Sequence, residues 1–593
     1  MRELQYPFDA DYILKKKKAL KRQLSENTDG FLPVRIAILG GYTTNDIRLI
    51  LELFLLDQRF IPEFYESEYA RFYEDAIFDN TELTDFHPDI VYVCTSNRNI
   101  PAYPSAWDDT AAVDSLLHDQ SEKFVQIWES LTERYDCPII QNNFELPSYR
   151  LLGNMDASDI HGRVNFITRL NMEFYSYAQT HKNLHICDIN YLSAVFGLDR
   201  WSDPFYYHMY KYALSLDAIP YLAFNVANII KSIYGKNKKG LVLDMDNTLW
   251  GGVIGDDGAD NILIGPEEPE GRAFTEFQTY LKELSSLGIL LNVDSKNDEA
   301  NALAGLSHPD SVLKEDDFIV IKANWEPKDR NLTEIAQTLN ILPESLVFID
   351  DNPAERHIVT SSMPQVCAPE IGEPHEYIGT IDKGGYFEAT SLSSDDAKRN
   401  EMYRENAKRV TLQSKFTDYR DYLLSLDMHA HIGEFEPVAY GRITQLTNKS
   451  NQFNLTTKRY TQNQIESAAS DPDRIAIYGR LTDRFGDNGI VTVVIGHVQN
   501  DECHIELWLM SCRVLKRDME YAMMDALAKE CNRRGLSKII GYYYSTAKNA
   551  MVKDFYADMG FTLTNEDPDG NRVWEYELGA DYECKNSVIK VDM

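Results

Sequence analysis

The run Leu241-Val242-Leu243-Asp244-Met245-Asp246-Asn247-Thr248-Leu249-Trp250 constrains this chain more than any other segment. An apolar, β-branched stretch delivers two carboxylates, one residue apart, at its carboxyl end, and a Thr follows. In a parallel α/β sheet, ligands sit beyond the carboxyl ends of the strands. Asp244 and Asp246 are therefore expected at the working edge of such a sheet.

Three more stations follow in order. Ile289-Leu-Leu-Asn-Val293 reads as a strand with Ser295 just beyond it, Lys328 ends Trp325-Glu326-Pro327-Lys328, and Leu346-Val-Phe-Ile349 is an apolar strand running into Asp350-Asp351. Polar strand ends arising by coincidence are the competing explanation, and four ordered stations weigh against it. D-x-D-x-T followed by Ser, Lys and Asp-Asp resembles the haloacid dehalogenase (HAD) superfamily, whose chemistry is mostly phosphoryl transfer. The resemblance implies an aspartyl-phosphate on Asp244, which divides one hard displacement into two. Asp246 would protonate the leaving oxygen and later activate water. Ser295 and Lys328, with Thr248 and Asn297, would bind the phosphoryl oxygens. Asp244, Asp246, Asp350 and Asp351 are the candidate ligands of Mg2+, a hard cation that takes oxygen donors and relieves the repulsion an attacking carboxylate meets.

Longer motifs narrow the resemblance. DMDNTLWGGVIGDDG at 244–258, SKN at 295–297, NWEPK at 324–328 and FIDDNPAER at 348–356 are similar to the FkbH-like proteins, a cap-poor HAD branch. So are the segments at 448–457, 483–489 and 510–514. That family is associated with taking a glyceryl unit from 1,3-bisphosphoglycerate, removing phosphate and loading the unit as a thioester on an acyl carrier protein. The implied partners are a phosphorylated three-carbon molecule and a carrier bearing a phosphopantetheine arm. The alternative is a plain phosphatase acting on a small sugar or glycerate phosphate. Many relatives carry Cys immediately before the Ser of SKN, where this chain has Asp294. The stretches 250–289 and 296–328 have no room for a separate cap, so the site is expected to be open, or roofed by a neighbouring domain.

A chain of 593 residues is too long for one core. Strand and helix patterns alternate from Arg35-Ile-Ala-Ile-Leu39 through Ile90–Cys94, Pro138–Gln141 and Leu184–Cys187, implying a doubly wound parallel sheet. The expected fold class is α/β multidomain. It comprises an SGNH-like domain at 1–235, a capless HAD Rossmannoid domain at 236–378, a helical connector at 379–427 and a GNAT-like α+β domain from 428 to 593. A hairpin turn is expected at Asp487-Asn488-Gly489. The net charge of −34 argues against nucleic acid as the main partner. Eight scattered cysteines fit reduced thiols, and no apolar run reaches the roughly 18 residues of a membrane span. A cytoplasmic protein is expected.

Asn549-Ala-Met-Val-Lys-Asp-Phe-Tyr556-Ala-Asp-Met-Gly560-Phe561 resembles the last helix and strand of GNAT acyltransferases. The resemblance implies Tyr556 as a general acid and Asn549 beside a pantetheine arm. The loop that in GNAT proteins cradles coenzyme A pyrophosphate, R/Q-x-x-G-x-G/A, reads Arg513-Val-Leu-Lys516-Arg517-Asp518 here, without glycines. Cys512 is either a transient acyl carrier or a core cysteine. At the other end of the chain, SGNH hydrolases place a Ser after strand one, where this chain has Gly40-Gly41-Tyr42-Thr43-Thr44. Asp203 and His208 do not keep D-x-x-H spacing, and Asn142-Asn143 reads equally as an oxyanion pair or a turn.

Overall fold

The computed structural model describes every residue except Asn451, Ala547, Ala580, Asp581 and Met593, so Asn451 of the 448–457 motif lies outside the described residues. The chain divides into two compact units, Met1–Ile233 and Tyr234–Met593. No helix among the described residues is long and apolar enough to cross a membrane.

The first unit is built on a parallel sheet of β1 (Leu32–Gly40), β2 (Phe60–Glu66), β3 (Ile90–Cys94), β4 (Ile139–Asn142) and β5 (Leu184–Cys187), in the order β2-β1-β3-β4-β5. The sequence reading missed β2. Its Pro62, Glu63 and Glu66 break the apolar run, which an edge strand tolerates and a central one does not. A cluster of Phe124, Trp128, Phe144 and Phe174 fills one face of this sheet.

The second unit carries two sheets. The first is all parallel, with β6 (Gly240–Leu243), β7 (Leu290–Ser295), β8 (Val320–Ala323) and β9 (Leu346–Ile349) in the order β8-β7-β6-β9. The second holds nine strands: β10 (His429–Glu434), β11 (Phe453–Asn454), β12 (Arg474–Asp483), β13 (Gly486–Gln499), β14 (Glu502–Met510), β15 (Lys538–Tyr543), β16 (Thr562–Glu566), β17 (Arg572–Glu577) and β18 (Lys590–Asp592). The hairpin between β12 and β13 turns at Arg484-Phe485, because Asp483 pairs with Gly486. Asp487-Asn488-Gly489 instead lies inside β13, where Gly489 takes φ +69 beside a break in register. The expected turn is a bulge.

The helix Arg399–Gln413 ties the two sheets together. Asn400 donates to the Ser285 carbonyl at 2.6 Å, and Arg409 forks onto Asp483 at 2.7 and 2.8 Å. The nine-stranded sheet is fastened near the amino-terminal ends of the four-stranded one. Lys548 pairs with Glu344 at 2.7 Å, and Asn340 donates to the Cys512 carbonyl.

Only a short helix (Ile254–Asp257) and a long one (Pro269–Ser286) lie between β6 and β7, so this stretch forms no separate cap. Trp250, fully buried, packs against the helix Glu299–Leu306 at Gly305, where an added Cβ would fall 2.6 Å from its ring. Gly305→Ala is expected to lower stability by about 1–3 kcal/mol through overpacking, read as a shifted urea midpoint. An unchanged midpoint would show that the ring has room to move.

Candidate functional site

Topology alone brings three stations together. β6, β7 and β9 are parallel neighbours, and their carboxyl ends present Asp244, Ser295 and Asp350. Asp244 is pinned by its own N–H, which donates to the Ile349 carbonyl at 2.9 Å. The fourth station arrives on the helix Lys328–Leu339, which starts directly after Pro327. The Lys328 ammonium donates to Asp244 at 2.7 Å and to Asp350 at 2.5 Å, and the side chain is 3% exposed. Ser295 also hydrogen-bonds to Asp244. Asp244, Asp350 and Asp351 offer oxygens that all lie within 4.8 Å of one another. The Arg356 guanidinium holds the turn by donating to the carbonyls of Asp350 and Asp351 at 2.6 and 2.7 Å. A cleft of about 340 Å³ opens here, lined by Asp244, Asp246, Ser295, Lys328, Asp350 and Asp351 among others.

Burial raises the pKa of Asp244, with Lys328 and Ser295 opposing. Asp350 is raised first by burial and then by the charge of Asp244. Burial alone would drive Lys328 off its charge, but the two carboxylates more than reverse this and hold its proton. Three crowded carboxylates with hard oxygen donors fit a divalent cation such as Mg2+.

Asp246 stands apart from that group. One oxygen accepts from Trp250 Nε1 at 2.9 Å and the Ile254 N–H at 3.2 Å, and the other accepts from Asn297 Nδ2 at 3.0 Å. Asp246 lines the cleft but is not one of the three carboxylates that lie within 4.8 Å of one another. Burial raises its pKa, which suits a group that must hold a proton before giving it up. Asn297 is spent on orienting Asp246. Thr248 is fully buried with no hydrogen-bond partner for its hydroxyl. Both were expected on phosphate; neither is among the residues that line the cleft.

Asp294 is the residue whose part was not foreseen. It is fully buried next to Ser295, accepts from Asn331 Nδ2 at 3.0 Å through one oxygen, and leaves the other without a partner. Burial pushes its carboxyl up to about 7, against the opposing pull of Asn331 and Lys328.

The acyl-transfer candidates do not join this cleft. Cys512 lies against Lys239, with Sγ 3.9 Å from its Nζ. Lys239 and Asp244 flank β6 at opposite ends, roughly 16 Å apart at 3.3 Å per residue. Asn549 is fully buried and knits a loop, donating to the carbonyls of Asn454 (3.0 Å) and Tyr544 (2.9 Å) and accepting from the Thr546 N–H (2.8 Å). Tyr556 is buried beneath Gly541, and burial raises its hydroxyl far above the ordinary range.

β14 and β15 pair only at 502–504 with 538–540 and then part. The chain fills the resulting wedge itself. Phe453 and Asn454 pair with β14, the Leu455 N–H donates to Trp508 at 3.0 Å, and its carbonyl accepts from Tyr544 at 2.8 Å. Lys516 and Asp518 take the left-handed backbone at φ +64 and +61.

In the first unit, Asn142 and Asn143 are both engaged. Asn142 donates to the Thr95 carbonyl at 3.0 Å, and Asn143 to Asp188 and Tyr175, each at 2.7 Å. Asp203 caps the helix Pro204–Tyr210, which carries His208.

A family model described as the FkbH N-terminal domain matches residues 35–231. Among solved structures, the chain is similar to the N-terminal part of protein BF1531 from Bacteroides fragilis, described as containing a phosphatase domain complexed with Mg. The identity is 32%, over 63% of this chain and 99% of that one, with a TM-score of 0.59. The ribosomal-protein-S18-alanine N-acetyltransferase from Escherichia coli matches at 15% identity over 26% of this chain and 97% of that one, with a TM-score of 0.21. Ard1 from Thermoplasma volcanium matches at 18% identity over 25% of this chain and 97% of that one, with a TM-score of 0.20. No curated protein matches the chain.

Two outcomes follow from these placements. The folded pKa of Asp294, about 7, lies above the ordinary aspartate value near 3.9 that it regains on unfolding, so the folded state loses stability as pH rises between those values. Asp294→Asn removes that loss. Its melting midpoint in EDTA should exceed the parent's at pH 8 by several degrees, at about 2–4 °C per kcal/mol, and by less at pH 5. An equal difference at both values would refute the buried ionisation. Tyr556→Phe should change stability by no more than about 1.5 kcal/mol and leave phosphate release unaltered; a large activity loss would restore Tyr556 as a working acid.

Proposed function

Because this chain belongs to the FkbH-like family, we propose that it is a Mg2+-dependent phosphatase-type enzyme that works through an aspartyl-phosphate on Asp244. The observation that carries this reading is the buried ammonium of Lys328 set between Asp244 and Asp350, with Asp351 completing a carboxylate cluster. Asp244, Asp350 and Asp351 would hold Mg2+, which when bound supplies charge relief for the attacking carboxylate and the transferring group. The similar phosphatase domain from Bacteroides fragilis, complexed with Mg, supports that assignment. The division of the second unit into a phosphoryl-transfer domain (236–378), a connector (379–427) and an acyltransferase-like domain (428–593) is part of the same proposal.

Asp244 attacks phosphorus, and a new P–O bond forms as the bond to the leaving oxygen breaks. Asp246, held by Trp250 and Asn297, delivers its proton to that oxygen. Water then attacks the aspartyl-phosphate, Asp246 takes up its proton, and phosphate departs with Asp244 restored. Ser295 and Lys328 meet the phosphoryl oxygens, where charge develops.

As the family implies, the substrate is a phosphorylated three-carbon acyl compound such as 1,3-bisphosphoglycerate. The thiolate of an acyl carrier protein attacks its acyl carbon and displaces the acyl phosphate as the C–S bond forms, while Asp244 removes the other, phosphomonoester phosphate. A specific observation favours the second reading, a plain phosphatase on a sugar or glycerate phosphate. No cysteine is among the residues that line the cleft, and Asp294 occupies the place of the thiol many relatives carry.

Incubation with 1,3-bisphosphoglycerate, Mg2+ and a holo carrier separates the two. Phosphate release with a carrier heavier by one glyceryl unit supports loading; release with no mass gain leaves the plain phosphatase. Asp244→Asn should reduce phosphate release to background, and Lys328→Met should lower it about 10²–10³-fold. Full activity of Asp244→Asn would sink both readings.

A further inference from the structure

Where the connector, the nine-stranded sheet and the start of β6 meet, basic side chains outnumber acidic ones. Lys239 precedes β6, Arg399 begins the connector helix, Arg442 and Lys449 share the helix Pro437–Lys449, and Arg513 follows β14. The carboxylates among them are Asp395 and Asp396. Asp396 meets Arg399 and, at 3.6 Å, Lys449, while Asp395 meets Arg442 at 2.7 Å. Arg513 is 8% exposed, and among the described residues its guanidinium hydrogen-bonds to Ser511 Oγ (3.3 Å), the Asn488 carbonyl (3.4 Å) and the Met402 sulfur. Lys239 meets the thiol of Cys512, which Tyr403 also hydrogen-bonds. Among the described residues, neither Arg513 nor Lys239 has an ion pair.

Five cations around two carboxylates leave positive charge uncompensated in half-buried surroundings, an arrangement that is unfavourable unless an anion joins it. Lys449 shows the strain: burial, then the charges of Arg399, Arg442 and Lys239, push its ammonium down to about 7. In a chain whose net charge is −34, this is a local reversal of sign. Guanidinium forks match phosphate oxygens, and a dianion matches the excess better than a carboxylate does.

We infer that this basic cluster binds a phosphomonoester dianion through Lys239, Arg399, Arg442, Lys449 and Arg513, with Cys512 beside Lys239. The site lies at the opposite end of β6 from Asp244, so the inference stands whether or not the phosphatase reading does. The phosphate is presented either by a small phosphorylated metabolite or by a phosphopantetheine arm. Free phosphopantetheine is a phosphomonoester like the metabolite and offers the same dianion; the arm esterified to a carrier is a singly charged diester and is expected to bind more weakly.

The test uses the full-length protein in EDTA, with inorganic phosphate as the probe. Alkylation of Cys512 by iodoacetamide is read by peptide mass spectrometry at constant ionic strength. Phosphate should slow the reaction several-fold in the parent and equally in Asp244→Asn. Lys449→Gln, a half-exposed position at 36%, should need about tenfold more phosphate for the same protection. No slowing in the parent, equal slowing by chloride, or protection lost in Asp244→Asn but kept in Lys449→Gln would each overturn the proposal. Stronger protection by glycerol phosphate or by phosphopantetheine supports the site and names the source.

Discussion

The ion triad of Asp244, Lys328 and Asp350 is the constraint on which the rest of the second unit depends. Two buried carboxylates close enough to share one ammonium cannot both stay charged without it, since their repulsion in a poorly solvated site exceeds anything nearby hydrogen bonds recover. The fold supplies the geometry through three adjacent parallel strand ends, and the charge through a lysine at the first position of the next helix. Asn331, one turn along the same helix, reaches Asp294, so one element holds both the cation and the buried carboxyl behind it. With Asp351 and Asp294 included, carboxyls outnumber the ammonium four to one. Every one of those carboxyl pKa values is raised, and a divalent cation is the simplest way to lower them together.

The second consequence is directional. A four-residue central strand has two ends, and this unit uses both. The phosphoryl cleft occupies the carboxyl end of β6, and the nine-stranded sheet is fastened near the amino end through Asn340 and Glu344. That sheet does not roof the cleft. Its own wedge between β14 and β15 is taken by Phe453–Leu455, and Lys516 and Asp518 take the left-handed backbone. No cysteine lines the cleft that holds Asp244.

What the sequence made legible was whatever depends on local pattern. Leu346–Ile349 and Ile90–Cys94 are continuous apolar runs, and their bounds agree with the structure residue for residue. Three of the four stations follow because strand ends in a parallel sheet share one edge, and Lys328 joins them from the start of a helix. What stayed hidden depends on partners distant in the chain. Thr248 and Asn297 have the right chemistry for phosphate, but Asn297 is turned onto Asp246 and Thr248 is packed away from the cleft. β2 was invisible because an edge strand needs no continuous apolar run. Asp487-Asn488-Gly489 has strong turn chemistry, yet a glycine at positive φ serves a bulge equally well, and the register of β12 against β13 decides between them.

The basic cluster is the extreme case of that second kind. Lys239, Arg399, Arg442, Lys449 and Arg513 come from four separate stretches of sequence, each unremarkable in a chain with 59 basic residues. Only packing of the connector between two sheets assembles them. Because Lys239 and Asp244 flank β6 from opposite ends, no three-carbon bisphosphate reaches from the cluster to the triad. The two places must therefore receive separate anions: a phosphoryl group that is cleaved at one end of the strand, and a phosphate that is only held at the other. A ligand anchored at the basic end keeps its phosphate intact, which suits a handle on a longer molecule better than it suits a second substrate.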